Sequence, residues 1–182
     1  MASGGRRAAV SELILLRHAT ATAPDPAGDR ERPLDRAGRG DAEALAQWIV
    51  ERGLGTDLVL CSASRRTRQT LDIIAPALAR PAEILIEDEL YLAPAQRLLA
   101  RLRRIPAGTA DVMLIGHNPG LHELANHIGD LASGPLAARI ASGFPAAALA
   151  RYAVDVSWAG LGHRRARLLA FVTPKEIIRG LG

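Results

Sequence analysis

Short runs of apolar residues alternate along the chain with segments of helical periodicity. Runs of three or four apolar residues are typical of strands that are buried on both faces of a sheet. Four such runs predict strands at Leu13–Leu16, Leu58–Cys61, Ile84–Ile86 and Val112–Ile115. Two longer segments nearer the carboxyl terminus, residues 148–156 and 166–173, predict a further pair of strands.

Helices are predicted between these strands, because apolar residues recur there every three or four positions. The first helix places Ala42, Leu45 and Ile49 on one face, and Gly53 ends it. The stretch before it, from Ala23 to Arg39, is rich in Pro, Asp, Gly and Arg and predicts a loop. Three more helices are predicted at Ser64–Leu78, Pro94–Arg104 and Pro119–Ile128. No element is predicted in the Gly, Ala and Pro-rich stretch that follows.

Strands that alternate with helices build βαβ units, so the sequence predicts an α/β fold. We expect a mostly parallel central sheet with helices on both faces, because the apolar runs show no polar alternation. The 182 residues suit a single domain. We place that domain at residues 11–182, after a flexible amino-terminal segment at residues 1–10.

The basicity of the chain is weak evidence for a nucleic-acid partner. The sequence pI is about 10.2, but the net charge at pH 7 is only +4. Of the 23 basic residues only Lys175 is a lysine, so 22 are arginines, which keep their charge at far higher pH than lysine does. Aromatic residues make up only 3%, too few for a platform that stacks bases. We expect no nucleic-acid partner.

The remaining composition points to a cytoplasmic protein without a membrane partner. The single cysteine, Cys61, excludes an internal disulfide, which suits a reducing compartment. No run approaches the roughly 20 apolar residues of a spanning helix, and the apolar stretch after Arg7 is too short for a signal peptide. The oligomeric state does not follow from the sequence.

Unusual polar residues follow three of the predicted strands. Arg17 and His18 follow the first strand, Arg66 lies in the first turn of the helix that follows the second, and His117 and Asn118 follow the fourth. Active sites of parallel sheets form at the carboxyl ends of the strands. If these strands are neighbours, two arginines and two histidines meet in one small volume.

This combination of side chains predicts phosphoryl transfer. The planar guanidinium of arginine matches phosphate oxygens and stays charged when it is buried. Positive surroundings lower the pKa of a histidine, so that a neutral imidazole can act as the nucleophile. Arginines then stabilise the developing charge, and neither a metal nor another cofactor is expected.

Two other chemistries fit the sequence less well. His117, His122 and His127 are spaced five residues apart, which does not keep ligands on one helix face, so no metal site is predicted. Cys61 lacks the arginine that follows the nucleophile of cysteine phosphatases after five intervening residues, because Thr67 stands there. We therefore expect Cys61 to be a buried strand residue.

The run Leu16-Arg17-His18-Ala19-Thr20 resembles the Arg-His-Gly signature of the histidine phosphatase superfamily, with alanine in place of the usual glycine. The family's Ser, Arg and Thr at four-residue intervals have counterparts in Ser62, Arg66 and Thr70. Gly116-His117-Asn118-Pro119 is similar to the segment that carries the family's second histidine. Two further segments, Arg32-Pro33-Leu34 with Gly38 and Glu89-Leu90-Tyr91, resemble the compact branch that includes bacterial phosphohistidine phosphatases.

The resemblance implies a phosphoglycerate mutase-like, three-layer α/β/α fold and a role for each matching residue. His18 would become phosphorylated, Arg17 and Arg66 would bind phosphate, and His117 would complete the pocket. Asn118 is a further candidate phosphate ligand. For the acid that protonates the leaving group, Glu89 is the best-placed carboxylate.

The resemblance implies a metal-independent phosphatase, and the substrate is expected to be phosphohistidine or another phosphorylated protein side chain. The short chain leaves little room for a cap, which favours an open pocket. Two alternatives stay open at this stage. One is mutase-type phosphoryl transfer on a small phosphorylated metabolite, and the other is a phospho-binding module without catalysis.

Overall fold

The computed structural model describes residues 10–24, 26, 28–80, 82–130 and 135–180. The strands are β1 (Ser11–Arg17), β2 (Leu58–Ser62), β3 (Glu83–Glu87), β4 (Asp111–Gly116), β5 (Gly129–Asp130), β6 (Leu149–Val154) and β7 (Ala166–Val172). The α-helices are α1 (Arg36–Glu51), α2 (Arg65–Ile74), α3 (Ala95–Leu102), α4 (Gly120–Ile128), α5 (Pro135–Ser142) and α6 (Pro174–Ile178). Short 3₁₀ turns lie at Asp29–Glu31, Ala75–Ala77, Asp88–Leu90 and Trp158–Gly160.

The strands form one sheet in the order β3-β2-β4-β1-β6-β7-β5. The pairings β3-β2, β2-β4, β4-β1 and β7-β5 are parallel. Only β6 runs antiparallel to both of its neighbours. The predicted mostly parallel α/β sheet is therefore confirmed, and the two strands predicted near the carboxyl terminus do pair with each other.

Both faces of the sheet are buried at the central strands β1, β2 and β4, as their apolar runs predict, whereas the edge strand β3 leaves Ile84 and Ile86 exposed. In β1, Leu13 and Leu15 pack with residues of α3, α4 and α5, whereas Ile14 and Leu16 pack with residues of α1 and α2. All four side chains are fully buried. Truncating one such leucine to alanine typically costs about 2–5 kcal/mol of folding free energy, so these layers hold the strand ends firmly in place.

The helices differ most from the prediction in four places, one of which is helix α6, where no helix was predicted. Helix α1 begins at Arg36, inside the predicted loop, because the carboxylate of Asp35 accepts a hydrogen bond from the Gly38 amide at 2.6 Å and caps the helix. Helix α2 ends at Ile74, because Pro76 cannot donate the next helical hydrogen bond. Helix α5 falls in a stretch where no element was predicted.

Gly38 allows α1 to pack directly against the segment that follows β1. A Cβ atom at this position would lie 2.1 Å from the carbonyl oxygen of Thr20. The absence of a side chain therefore brings the start of α1 against the residues just after His18. No helix in the described ranges is both long and apolar enough to cross a membrane. The predicted flexible segment lies outside the described residues, apart from Val10.

Candidate active site

The strands β2, β4 and β1 are consecutive neighbours in the sheet, and their carboxyl ends meet at one edge. Arg17 pairs in register with Gly116, and the amide of His18 donates to the Gly116 carbonyl at 3.2 Å. The structure therefore brings His18 and His117 side by side, with their ring centroids 5.1 Å apart. Arg66 joins them from the first turn of α2.

The contacts of the His18 ring fix its tautomer. Its Nδ1 lies 2.7 Å from the carbonyl oxygen of Ala19, which only accepts, so Nδ1 carries the proton. Its Nε2 accepts from Nε of Arg66 at 3.2 Å and therefore holds a lone pair. The backbone here is anchored because the amide of Ala19 donates to Oγ1 of Thr70 at 3.1 Å.

Burial lowers the pKa of His18 to about 4, and the charges of Arg66 and Arg17 act in the same direction. The hydrogen bond to Ala19 opposes these effects but does not outweigh them. His18 is therefore neutral at pH 7, which is the form in which an imidazole is a nucleophile.

Arg66 is the centre of the cluster, and its side chain is only 4% exposed. One edge of its guanidinium faces the two histidines, through Nε to His18 and Nη2 to Nδ1 of His117 at 3.4 Å. The other edge faces Asp29, through Nη1 to the backbone oxygen at 2.6 Å and Nη2 to Oδ2 at 2.9 Å. The hydroxyl of Ser64 caps α2 and so helps to fix the turn that carries Arg66.

His117 is 3% exposed and neutral at pH 7. Burial lowers its pKa to about 3, and the neighbouring His18 and Arg66 contribute in the same direction. Because its Nδ1 accepts from Arg66, its Nε2 carries the proton and donates to Oγ of Ser62 at 2.7 Å. Arg66, which can only donate, thus sets the tautomer of His117, and the Ser62 hydroxyl accommodates it.

Arg17 and Asn118 share one carbonyl group at the wall of the site. Nη1 of Arg17 and Nδ2 of Asn118 each donate to the carbonyl oxygen of Phe144 at 2.9 Å. The Arg17 Nε and the Asn118 Oδ1 are buried and have no hydrogen-bond partner among the described residues. Burial also lowers the pKa of Arg17.

Sequence reasoning missed the carboxylate of the site, Asp29. Its Oδ2 accepts from Nη2 of Arg66 at 2.9 Å and from the hydroxyl of Tyr91 at 2.6 Å, and its Oδ1 accepts from Nη1 of Arg32 at 2.8 Å. The hydrogen bonds from Tyr91, Arg32 and Arg66 hold the pKa of Asp29 well below its usual range. The only sequence signal was its place just before the Arg32-Pro33-Leu34 segment.

These residues enclose a cavity of about 370 Å³. It is lined by Arg17, His18, Thr20, Ala21, Asp29, Arg32, Arg66, Leu92, His117, Asn118 and Ala146. A wider depression of about 560 Å³ adjoins it and shares Arg17 and Asn118 with it.

Residues 13–91 match the model of the histidine phosphatase superfamily, branch 1. An uncharacterised protein of Mycobacterium tuberculosis is 31% identical over 165 residues, which cover 88% of this chain and all of that protein. A structure from Agrobacterium tumefaciens assigned as the phosphohistidine phosphatase SixA is 31% identical, with a TM-score of 0.74 over 90% of this chain and 99% of its own. The chain belongs to the histidine phosphatase superfamily.

A second solved structure, assigned as SixA from Nakamurella multipartitia, is 28% identical and has a TM-score of 0.79. It covers 93% of this chain and 99% of its own. The resemblance inferred from the strand-end motifs is therefore confirmed over nearly the whole chain. This histidine phosphatase has the phosphoglycerate mutase-like fold that the resemblance implied.

The structure does not bring Glu89 to His18. The Glu89 carboxylate forms ion pairs with Arg104 and, at 3.8 Å, with Arg101, and it does not line the catalytic cavity. The 3₁₀ turn Asp88–Leu90 that follows β3 places this carboxylate beside α3 instead.

Cys61 is fully buried in β2, as predicted, and burial raises the pKa of its thiol to about 12. In the part of the chain that the structure describes, no three side chains of the types His, Cys, Asp and Glu gather in a group that could hold a metal ion.

The low pKa values of the two buried histidines predict a loss of stability in acid. Between pH 6.5, the ordinary pKa of histidine, and about pH 4, His18 and His117 become protonated in the unfolded chain but stay neutral in the folded protein. The free energy of unfolding should therefore fall as the pH drops from 6.5 towards 4. Urea unfolding measured between pH 4.5 and 7.5 tests this.

The matched variant is His117→Gln, which keeps an amide donor for Ser62 but cannot be protonated. Its stability should fall less steeply with acidification than that of the wild type. Identical slopes would show that His117 titrates normally. Imidazole NMR shifts of the wild type should show both histidines still neutral at pH 5.

Proposed function

We propose that this phosphatase removes phosphoryl groups from phosphohistidine in proteins, without a metal, through a covalent intermediate on His18. The observation that carries the proposal is the orientation of His18. Its Nδ1 proton is committed to the Ala19 carbonyl, and its Nε2 lone pair points at the guanidinium of Arg66. The nucleophile is thus already in its reactive tautomer beside a group that binds phosphate.

The two chemical steps use groups that line the cavity. In the first step, Nε2 of His18 forms a bond to phosphorus, and the bond from phosphorus to the leaving group breaks. In the second, water attacks phosphorus, the P–N bond breaks, and its electron pair returns to Nε2. Inorganic phosphate then leaves, and the second proton of water goes to solvent.

The charge of the cavity matches that of a phosphoryl group. Arg17, Arg32, Arg66 and Asp29 are its charged lining residues, so its net charge is +2 when both histidines are neutral. A phosphoryl group carries a charge of about −1.5 to −2 at pH 7. Arg66 can offer Nε and Nη2 to the phosphoryl oxygens when these oxygens replace His18 and His117 as acceptors, while Asp29 keeps the opposite edge of the guanidinium. Arg17 can offer its unpartnered Nε after a small shift.

The carboxylates around the site favour a leaving group that needs no strong acid. The carboxylate in the described lining is Asp29, which its donors hold in the ionised form, and Glu89 is engaged by Arg104. An alkyl phosphate needs a proton for its departing oxygen. An imidazole leaves phosphohistidine with less help, which supports this substrate class. The two similar structures from Nakamurella multipartitia and Agrobacterium tumefaciens, both assigned as phosphohistidine phosphatases, support the same substrate class.

The shape of the surface supports a protein substrate rather than a small metabolite. Sites for small molecules bury about 70–90% of the ligand in a closed cavity. Here the wider depression lies on the other side of Arg17 and Asn118, which line both it and the catalytic cavity. A phosphorylated side chain can enter the cavity while the surrounding protein surface rests outside it.

The test is hydrolysis of a phosphohistidine-bearing protein and of phosphoimidazole by the purified wild type, with and without EDTA. We expect turnover of both, unchanged by the chelator, and an acid-labile phosphoenzyme after rapid quenching. Turnover of p-nitrophenyl phosphate alone would overturn the substrate assignment. Loss of activity in EDTA that added metal restores would overturn metal independence.

A further inference from the structure

The carboxylate of Asp29 retains capacity for one more hydrogen bond. Its Oδ2 already accepts from Arg66 and Tyr91, whereas Oδ1 accepts from Arg32 alone among the described residues. An ionised carboxylate offers about four acceptor positions. The Asp29 side chain is also 46% exposed, so a ligand in the cavity can reach it.

Asp29 and His18 stand at two different edges of the same guanidinium. Arg66 directs Nε to His18 and directs Nη1 and Nη2 to Asp29. A phosphoryl group that is held by Arg66 and attacked by His18 therefore shares the cavity with Asp29, which lies on a different side of the guanidinium from the nucleophile. Both residues line the catalytic cavity.

We propose that Asp29 recognises the leaving group of a phosphohistidine substrate by accepting a hydrogen bond from the ring N–H of its imidazolium. The proposal rests on the function proposed above and names the residue that selects its substrate class. Asp29 is the one carboxylate in the described cavity lining, so it is the group there that favours a cation.

The chemistry of the leaving group explains why an ionised carboxylate suffices. Phosphohistidine that is protonated on its free ring nitrogen is an imidazolium, with phosphorus on one nitrogen and a proton on the other. When Nε2 of His18 forms its bond to phosphorus, the substrate P–N bond breaks and its electron pair returns to the substrate nitrogen. The ring departs as neutral imidazole and keeps its proton. No proton is transferred, so Asp29 need only stabilise the cationic form.

The same carboxylate disfavours other leaving groups. A departing phenolate or a substrate carboxylate places negative charge beside Asp29 and is repelled. Asp29 cannot assist an alkyl phosphate either, because its bonds from Tyr91, Arg32 and Arg66 keep it ionised. The site thus distinguishes substrates by the charge of the leaving group as well as by the phosphoryl group.

The test compares Asp29→Asn with the wild type on phosphoimidazole and on p-nitrophenyl phosphate. The asparagine oxygen can still accept from Arg66 and Tyr91, whereas the amide nitrogen that replaces Oδ1 loses the bond from Arg32, so the contact that holds the guanidinium beside His18 is kept. We expect kcat/KM for phosphoimidazole to fall about 10- to 100-fold, the range for losing a charged hydrogen-bond partner. We expect kcat/KM for p-nitrophenyl phosphate to stay within threefold or to rise. Asp29→Glu should restore part of the loss on phosphoimidazole.

The matched control is Asp88→Asn, which removes the same charge from a side chain that is 78% exposed and pairs with Arg30 outside the cavity lining. It should leave both substrates unaffected. An equal loss on both substrates in Asp29→Asn would show that Asp29 acts only through Arg66, and no loss on either would exclude a role. Wild type that cleaves only the aryl phosphate would instead refute the proposed function.

Discussion

Replacing His18 with alanine should lower the turnover of phosphoimidazole by at least about a thousandfold, because the variant has no nucleophile to form the covalent intermediate. Arg66, Arg17 and His117 remain, so the substrate still binds, and its KM should change far less than kcat. Steady-state kinetics with phosphate release as the readout provides the measurement, and rapid quenching should detect no phosphoenzyme.

The matched control for His18→Ala is His163→Ala, which removes an exposed imidazole whose ring contact is with His127. It should retain full activity. Thermal unfolding of both variants establishes that each is folded. If His18→Ala keeps a tenth or more of the wild-type turnover, phosphoryl transfer does not pass through His18.

Replacing Arg66 with lysine should lower kcat/KM by about a hundredfold or more although the positive charge is kept. Arginine can direct two N–H groups to phosphoryl oxygens while its other edge holds Asp29. The single ammonium group of lysine cannot make both sets of contacts. The ammonium group is also costly to bury without these partners, at a position where the side chain is only 4% exposed. Kinetics at several substrate concentrations separates the effect on KM from that on kcat.

Arg68→Lys is the matched control for Arg66→Lys, because Arg68 lies in the same helix and is exposed. It should be indistinguishable from wild type. Inhibition by vanadate gives a second measurement, which should weaken with Arg66→Lys and not with Arg68→Lys. Wild-type affinity for vanadate in Arg66→Lys would show that a charge alone, without the forked geometry, binds the phosphoryl group.

The part of the site that could be predicted from the sequence is the part carried by the sheet. Leu13–Leu16 is so uniformly apolar that it must be a buried strand, and Arg17 and His18 then stand at its end. The same reasoning placed His117 after Val112–Ile115. Parallel strands align their carboxyl ends, so local patterns here determine long-range proximity.

The parts that escaped prediction depend on contacts between distant segments. Asp29 becomes a site residue only because Tyr91 and Arg66 donate to it. Tyr91 is 62 positions away in the sequence, so no local pattern around Asp29 predicts this contact. The family resemblance made Glu89 the best-placed candidate for the acid, yet its carboxylate forms an ion pair with Arg104, just beyond the end of α3. Helix α5 lies in an alanine and glycine-rich stretch whose composition does not separate helix from loop.

The proposed catalytic groups and the proposed selecting group lie on elements that differ in burial. His18, Arg66 and His117 are held by buried strands and a capped helix, whereas Asp29 belongs to a three-residue turn with no buried residue. A surface turn accepts new sequences at little cost to folding. Exchanging residues 29–31 is therefore a route to redirect the enzyme towards another class of phosphorylated compound, provided that residue 29 keeps a side-chain acceptor for Arg66.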